Sequence, residues 1–148
     1  MNNVMNIDLE TANALIAAGV SRASEIGVPM AISVVDTAGH VVALHRMDNA
    51  NWHTIGLSQG KAMAAAAMRL PSADLGARWK DFPALTTAAT VLNGGHFVPL
   101  PGGFPLRVNG QVVGAVGASG GTGAQDADVC LHGISGTGRF DAETPPAA

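Results

Sequence analysis

The stretch from Pro101 to Gly121 constrains the fold of this chain more than any other. Its first six residues, Pro101–Leu106, hold two prolines and two glycines, which is typical of a fixed bend rather than of a helix or strand. Val112–Gly121 then alternates small and β-branched residues and ends in glycines. A strand with such small side chains lets a helix, another backbone or a flat ligand come unusually close. We therefore expect this stretch to form the floor of a pocket.

Helices and hairpins account for the rest of the chain. Apolar residues at helical spacing predict the long helices, and two short connections, Asp36–His40 and Asn109–Gly110, predict tight hairpins. Hairpins rather than strand-helix-strand crossovers predict an α+β fold, with helices packed on a mainly antiparallel sheet. The predicted elements are a helix over Asp8–Gly27, strands Met30–Val35 and Val41–Arg46, a helix over Trp52–Leu70, a short turn capped by Ser72 that runs to Trp79, a helical piece over Phe82–Leu92, strands Phe104–Val108 and Gln111–Ser119, and a helix over Gly123–Gly136.

Length and composition indicate one domain, which we place at residues 1–138, followed by a loose C-terminal tail over 139–148. Hydrophobic residues make up an ordinary 47%, but charged residues only 13%, about half the usual share. A chain with so little charge has little surface to expose to water. We therefore expect a homo-oligomer, with a monomer of bland surface as the alternative.

Several classes of protein are disfavoured by charge and pattern. The net charge is −3 and no lysine or arginine cluster is present, so the electrostatic footprint of a nucleic-acid binder is missing. No apolar run approaches the roughly 18 residues that span a bilayer, and Met1–Glu10 lacks the pattern of a secretory signal. The single cysteine, Cys130, excludes an internal disulfide and a cysteine-based zinc site. We expect a cytoplasmic protein without nucleic-acid or membrane partners.

The glycine-rich turn Gly117–Gly121 has two possible interpretations. It lacks both the Gly-Lys-Ser/Thr ending of a phosphate loop and the spaced glycines of a dinucleotide site. It is either a plain turn or an anion-receiving turn, in which the free amides of the last helix bind an anionic group such as a carboxylate. That helix starts with capping-box spacing at Thr122–Gln125, and Asp126 complements its dipole in a structural role.

Two of the five histidines are candidates for chemistry. His53 opens the alanine-rich helix and His96 lies beside the Pro/Gly bend, so either could ligate haem iron or transfer a proton. A structural role remains the alternative for each. His40 is expected in solvent, and His45 near a strand end is open to either interpretation. No pair of histidines has metal-site spacing.

The charged candidates are Arg46, Asp48 and Lys61. Arg46 and Asp48 close the second strand, where they could hold each other or bind a polar ligand. Lys61 lies within an otherwise apolar helix. It either extends its ammonium group to solvent or is a buried cation that pairs with Asp36, Asp48 or a ligand carboxylate.

These residues together resemble the GlcG/HbpS family, which includes the C-terminal domain of PduO-type proteins. The matching pieces are Ala31–Asp36 with Gly39, Arg46–Asp48, Lys61–Ala62, Pro101–Leu106, Val113–Gly121 and Asp126. The resemblance implies a profilin-like three-layer α/β/α arrangement with a five-stranded antiparallel sheet, and commonly a higher oligomer. Some members bind haem or related tetrapyrroles. The histidine that PduO-like members place late in the first helix is absent from Ser21–Glu25, so a haem ligand here must be another residue.

The leading hypothesis is a small oligomer that binds haem or another flat ligand in an apolar pocket, in a catabolic or redox-response context. His53 or His96 is the axial candidate and Arg46 or Lys61 would meet a propionate. The glycines expected to line the pocket are Gly102, Gly103 and Gly120. The alternative is a cofactor-independent lyase, isomerase or hydrolase acting on a small carboxylic acid, with His53, His96 or Asp48 as acid or base. A structural oligomer with a vestigial pocket is the third hypothesis.

Overall fold

The structure, a computed structural model, describes residues 1–143. Both predicted hairpins are present, and every predicted helical segment forms a helix within a few residues of its expected bounds. The helices are α1 (Leu9–Glu25), α2 (Thr54–Met68), α3 (Ser72–Trp79), α4 (Pro83–Leu92) and α5 (Gly123–Thr137). The strands are β1 (Ala31–Val35), β2 (Val41–Arg46), β3 (Gly103–Val108) and β4 (Gln111–Ser119). Across these residues, no helix combines the length and the apolar character that crossing a membrane requires.

The sheet has four strands within the described residues, in the order β2-β1-β4-β3, and all neighbours are antiparallel. The expected five-stranded sheet is therefore wrong. The nearest approach to a fifth strand is the N-terminal segment, where the Ile7 amide donates to the Val113 carbonyl at 2.8 Å beside the part of β4 that β1 leaves unpaired. One residue later Asp8 caps α1, so the segment turns away after a single bond to the sheet.

Helices cover both faces of the sheet, and the two interfaces differ in kind. α1 and α5 pack together against one face, where large side chains such as Phe104, Ile32 and Val116 form the main core with Leu15 and Val129. α2 covers the opposite face, where the core is made of alanines and Val35. Large side chains therefore separate the sheet from α1 and α5 on one face. On the other face, small side chains let the backbone of α2 lie close to the strands.

A row of small residues explains how α2 comes so close. Ser33, Gly117 and Gly103 are direct partners on three adjacent strands. A Cβ added at Gly117 would overlap the Ser58 carbonyl of α2, and the Ser33 and Ser58 hydroxyls lie 2.7 Å apart. The close approach predicted from the small side chains of β4 is confirmed, and the group that approaches is a helix.

The helix starts follow local chemistry. The Asp8 carboxylate accepts the Thr11 amide at 2.7 Å, and the backbone and side-chain hydrogen bonds from Thr11 lower the pKa of Asp8 below its usual value. Thr122 and Gln125 form the predicted capping box at the start of α5. Both caps satisfy amides that have no partner within their own helix.

Residues 139–143 cross over the β3–β4 hairpin. The Asp141 carboxylate accepts the amides of Asn109 and Gly110 at 3.1 and 2.7 Å, so it satisfies the turn between the two strands. Arg107 of β3 pairs with Glu143, and Arg139 donates to the Thr11 hydroxyl of α1. The remainder of the expected C-terminal tail, residues 144–148, lies outside the described residues.

Candidate functional site

A buried ion pair lies where α2, β4 and α5 meet. The Lys61 ammonium donates to Asp126 Oδ2 at 2.7 Å and to the Ala118 carbonyl at 2.9 Å, and the two charged side chains are only 5% and 4% exposed. Lys61 is therefore a buried cation rather than one that reaches solvent. Its partner is Asp126, and the expected pairing with Asp36 or Asp48 is wrong.

The locations of the three carboxylates explain this difference. Asp36 accepts the amides of Ala38 and His40 in the β1–β2 turn, and Asp48 is exposed beyond the end of β2. Asp126 instead lies in the first turn of α5, which begins directly after β4. A lysine on α2 thus meets the carboxylate that follows the strand it covers.

Gly102 makes room for the pair. Its φ is 112°, and a Cβ at this position would lie 2.7 Å from Asp126 Cβ and 3.2 Å from Lys61 Nζ. The Gly102 carbonyl accepts the Ala118 amide at 2.9 Å and the Cys130 thiol at 3.3 Å. Hydrogen bonds from Ala118 of β4 and Cys130 of α5 therefore hold the Pro/Gly bend beside the ion pair. We call Lys61, Asp126, Gly102 and Cys130 the buried centre.

The thiol of the buried centre is a structural donor. Burial raises the pKa of Cys130 far above its usual value, and the opposing effect of the Lys61 charge is smaller. A thiol held protonated in this way donates to a carbonyl and does not act as a nucleophile. The buried centre therefore has the character of a structural anchor.

The glycine-rich turn receives an anion from its own chain. Asp126 Oδ1 accepts the Gly121 amide at 2.9 Å, and the Thr122 amide donates to Gln125 Oε1 at 2.9 Å. Of the two readings of Gly117–Gly121, the structure favours a turn completed by internal groups. Gly120 packs its backbone against Pro29 and Met30, where a Cβ would overlap the Pro29 carbonyl.

Ser72 supports the neighbouring bend. The sequence predicts that it caps a helical turn, but it is the first residue of α3. Its hydroxyl accepts the Gly103 amide at 2.8 Å and donates to the Leu100 carbonyl. The expected cap is therefore wrong, because Pro71 occupies the capping position. Gly103 is also packed tightly, since a Cβ there would overlap the Lys61 carbonyl.

Arg46 and Asp48 line an open cavity of about 400 Å³ at the end of β2. Arg46 is paired with Ala31 and therefore projects on the α2 side of the sheet, whereas His45 is paired with Ile32 and projects on the α1 side. The guanidinium makes one long hydrogen bond, 3.4 Å, to the Ala50 carbonyl, and within residues 1–143 it forms no ion pair. The residues that line the cavity are Val20, His45, Arg46, Met47 and Asp48.

The two candidate histidines lie on different segments. His53 precedes α2 and is exposed, with its ring edge-to-face against the exposed Trp52 at 6.0 Å between centroids. His96 is also exposed, in the loop that follows α4. That loop is attached to α2 further along, where the Val98 amide donates to the Gly60 carbonyl at 3.0 Å.

The predicted site residues therefore fall into separate groups. Lys61 and Gly102 belong to the buried centre, and Gly103 packs beside it against the Lys61 carbonyl. Gly120 packs elsewhere, against Pro29 and Met30. Arg46 and Asp48 both line the cavity. Four further residues have roles that the sequence alone did not indicate. They are Asp126 as the partner of Lys61, His45 in the cavity, Trp52 beside His53 and Ser72 under the Pro/Gly bend. Among these, only Trp52 carried a usable signal, because a tryptophan next to a candidate histidine is rare in a chain that is 4% aromatic.

A larger cavity, of about 750 Å³, lies between the N-terminal residues and the β3–β4 turn, with Arg69 and Arg107 in its walls. It contains none of the predicted site residues. The size of a cavity alone therefore does not mark the candidate site.

Comparison with known proteins agrees with the fold. A family model described as "Haem degrading protein HbpS-like" matches residues 7–135. Protein GlcG of Escherichia coli strain K12 is 36% identical over 119 residues, which are 80% of this chain and 85% of GlcG.

Two solved structures are also similar. Klebsiella pneumoniae protein ORFY has a TM-score of 0.85 and 29% identity, covering 95% of this chain and 97% of that one. The structure of a PduOC:heme complex has a TM-score of 0.80 and 29% identity, covering 89% of this chain and 95% of that one. The family match and the GlcG match each span most of the chain, so this protein belongs to the HbpS-like family, as its motifs had indicated.

Proposed function

We propose that this protein binds haem, or a related flat tetrapyrrole, with the imidazole of His53 as the axial ligand. The observation that carries the proposal is the exposed His53 ring beside Trp52, at the open end of the alanine-rich helix. The similar PduOC structure contains heme, which supports a tetrapyrrole as the ligand class. The catabolic or redox-response context expected from the resemblance is part of the same proposal.

The surface around His53 fits a flat ligand. Gly56 and Leu57 follow His53 by three and four residues and so lie on the same face of the helix. Apart from its chain neighbours and the backbone of its own helix, no atom lies within 4 Å of a Cβ built on Gly56, so no other part of the fold covers the surface beside the imidazole. Trp52 offers an aromatic side chain at the edge of this surface. A planar macrocycle could therefore lie over Gly56 with its iron at the imidazole.

Arg46 is the residue that we assign to a propionate. Its carbonyl partner Ala50 belongs to the loop that leads to His53, so the guanidinium lies at the same end of α2. Lys61 is less suited, because its ammonium is buried and already bound to Asp126 and Ala118. In this arrangement the protein supplies an axial nitrogen, an aromatic neighbour and one cation.

Titration with hemin tests the assignment. The wild type should shift the Soret band, and His53→Ala should weaken binding by at least about tenfold, equivalent to 1.4 kcal/mol. His96→Ala is the matched control, since it removes another exposed imidazole and should leave the titration unchanged. Equal spectra and affinities for the wild type and His53→Ala would contradict the axial assignment. A wild type that gives no Soret shift would contradict haem binding as a whole.

The cavity at the end of β2 favours a second candidate function. We propose, as the alternative, a cofactor-independent lyase, isomerase or hydrolase acting on a small carboxylic acid. A cavity of about 400 Å³ suits a small molecule, and its lining includes Arg46, which we assign to the carboxylate, and Asp48 and His45 as candidates for the acid and base. His53 and His96 are not among the lining residues, so Asp48 is the catalytic candidate that the cavity favours.

A melting screen with small hydroxy and keto acids tests this alternative. A ligand that binds only the folded state raises the free energy of unfolding, and so the melting temperature, increasingly with its concentration. The increase should disappear in Arg46→Ala and persist in Arg78→Ala, which removes an exposed arginine from α3. If no acid stabilises the wild type, or if Arg46→Ala responds like the wild type, the cavity is not a carboxylate site.

A further inference from the structure

The outer surface of α4 is apolar and uncovered. Phe82, Leu85, Val91 and Leu92 are 61%, 45%, 71% and 85% exposed, and no residue of the helix is buried. These four residues together expose roughly 500 Å², which is as large as the largest apolar patch on an ordinary monomer. Such a patch on an otherwise well-packed domain indicates a surface that has a partner.

The helix is oriented with its apolar side outward. Thr86, Ala89 and Thr90 are the half-buried residues that face the body, and the Thr90 hydroxyl donates to the Phe97 carbonyl at 3.0 Å. The leucines at positions 85 and 92, seven residues apart, share the opposite side with Ala88 between them. A surface helix of a monomer normally has the reverse arrangement. Its solvent-facing side therefore has the composition of a buried one.

We propose that this surface, which we call the α4 face (Phe82, Leu85, Ala88, Val91, Leu92), is the contact between two copies of this chain. The sequence has no aspartate, glutamate, lysine or arginine from Phe82 to Leu106. In a two-fold contact each patch meets its own copy, so a charge close to the axis would face a like charge. A long neutral segment suits self-association better than it suits binding to a charged partner.

The area on each copy also fits. A stable dimer buries about 800 Å² on each partner. The α4 face provides the apolar centre, and the exposed Ala84 and Thr87 beside it belong to the rim. A two-fold axis perpendicular to α4 makes the paired helices antiparallel. Lys80, exposed just before the helix, then lies near the C-terminal end of the partner helix, where a cation is favourable.

Ala88 is the natural centre of this contact. It lies midway between Leu85 and Leu92 on the outward side, so the two-fold axis passes close to it. Its small side chain would let the two helices approach each other closely at the crossing point. Ala88 and its copy are therefore the pair that the proposal brings nearest together.

Sedimentation and cross-linking test the proposal together. The wild type should sediment as a dimer or as an assembly of dimers, and Leu92→Asp should raise the dissociation constant by at least about tenfold, or 1.4 kcal/mol. Leu9→Asp is the matched control, because Leu9 is also an exposed leucine on a helix. Ala88→Cys should form an intermolecular disulfide under mild oxidation, whereas Ala77→Cys, exposed on α3, should not. The native Cys130 is buried and should not compete.

Each contrary result overturns the proposal. A monomeric wild type at micromolar concentrations would show that the α4 face has another occupant, such as a different protein or a flat ligand. An assembly that Leu92→Asp leaves intact would place the contact elsewhere on the surface. If Leu92→Asp fails to fold, the comparison of Ala88→Cys with Ala77→Cys decides, and equal cross-linking of the two variants counts against the α4 face.

Discussion

Replacing Lys61 by methionine is expected to lower the free energy of unfolding by about 3–5 kcal/mol, the usual cost of removing one partner of a buried ion pair. The Asp126 carboxylate would remain buried with only the Gly121 amide as its donor. The Ala118 carbonyl would lose its bond to the ammonium as well. Urea unfolding followed by circular dichroism measures the change. Arg78→Met, at an exposed arginine of α3, should change stability by less than about 0.5 kcal/mol.

A double variant separates the ion pair from general damage to packing. Asp126→Asn alone should also destabilise strongly, because it leaves the Lys61 charge buried and uncompensated. The combined Lys61→Met and Asp126→Asn variant should lose clearly less than the sum of the two single changes, since neither charge remains. Additive losses, or a loss below about 1 kcal/mol for Lys61→Met, would contradict the view that this pair anchors α2 to β4 and α5.

Gly117→Ala is expected to destabilise the protein by about 1–3 kcal/mol, although alanine suits a strand better than glycine does. The added methyl would overlap the Ser58 carbonyl and lie 2.7 Å from the Ala62 nitrogen. Both neighbours are helix backbone, which cannot move aside without shifting α2 away from the sheet. The φ of Gly117 is not in the left-handed region, so the expected loss comes from packing alone.

Gly56→Ala is the control, because the same substitution should have the opposite sign. Gly56 lies on α2, and nothing lies within 4 Å of its added methyl. Alanine should therefore stabilise the helix by up to about 1 kcal/mol. Thermal unfolding of the two variants side by side measures the contrast. If Gly117→Ala is as stable as the wild type, the distance between α2 and the sheet is not set by the size of residue 117.

Local structure followed closely from local sequence. Asp8 and the Thr122–Gln125 box were recognisable as helix starts because capping depends on residues within one turn of each other. Asn109–Gly110 identified a hairpin for the same reason, since the turn's geometry is a property of those two residues. The number of strands was misjudged because it depends on whether Ile7 continues along β4 or ends at the cap, a competition that a resemblance does not resolve.

The candidate site was less accessible to such reasoning. His53, His96, Arg46 and Lys61 were all identifiable as unusual residues, but their grouping depends on where the ends of the elements meet. The single pocket expected for them does not form: the structure distributes them over the buried centre, the cavity at the end of β2, the start of α2 and the loop after α4. The roles of His53 and Arg46 in ligand binding remain predictions.

The stretch Pro101–Gly121 shows both sides of this division. Its small residues determined by themselves that something would pack closely on β4, because glycine and alanine leave no side chain to prevent it. Only the tertiary structure decided that α2 would occupy that face and that Lys61 would bond to Asp126, 65 residues further along the chain. The small size of the residues in a strand can be read from the local sequence. The partner of a buried charge depends on which distant elements come together in the folded chain. That is why the close packing could be predicted and the ion pair could not.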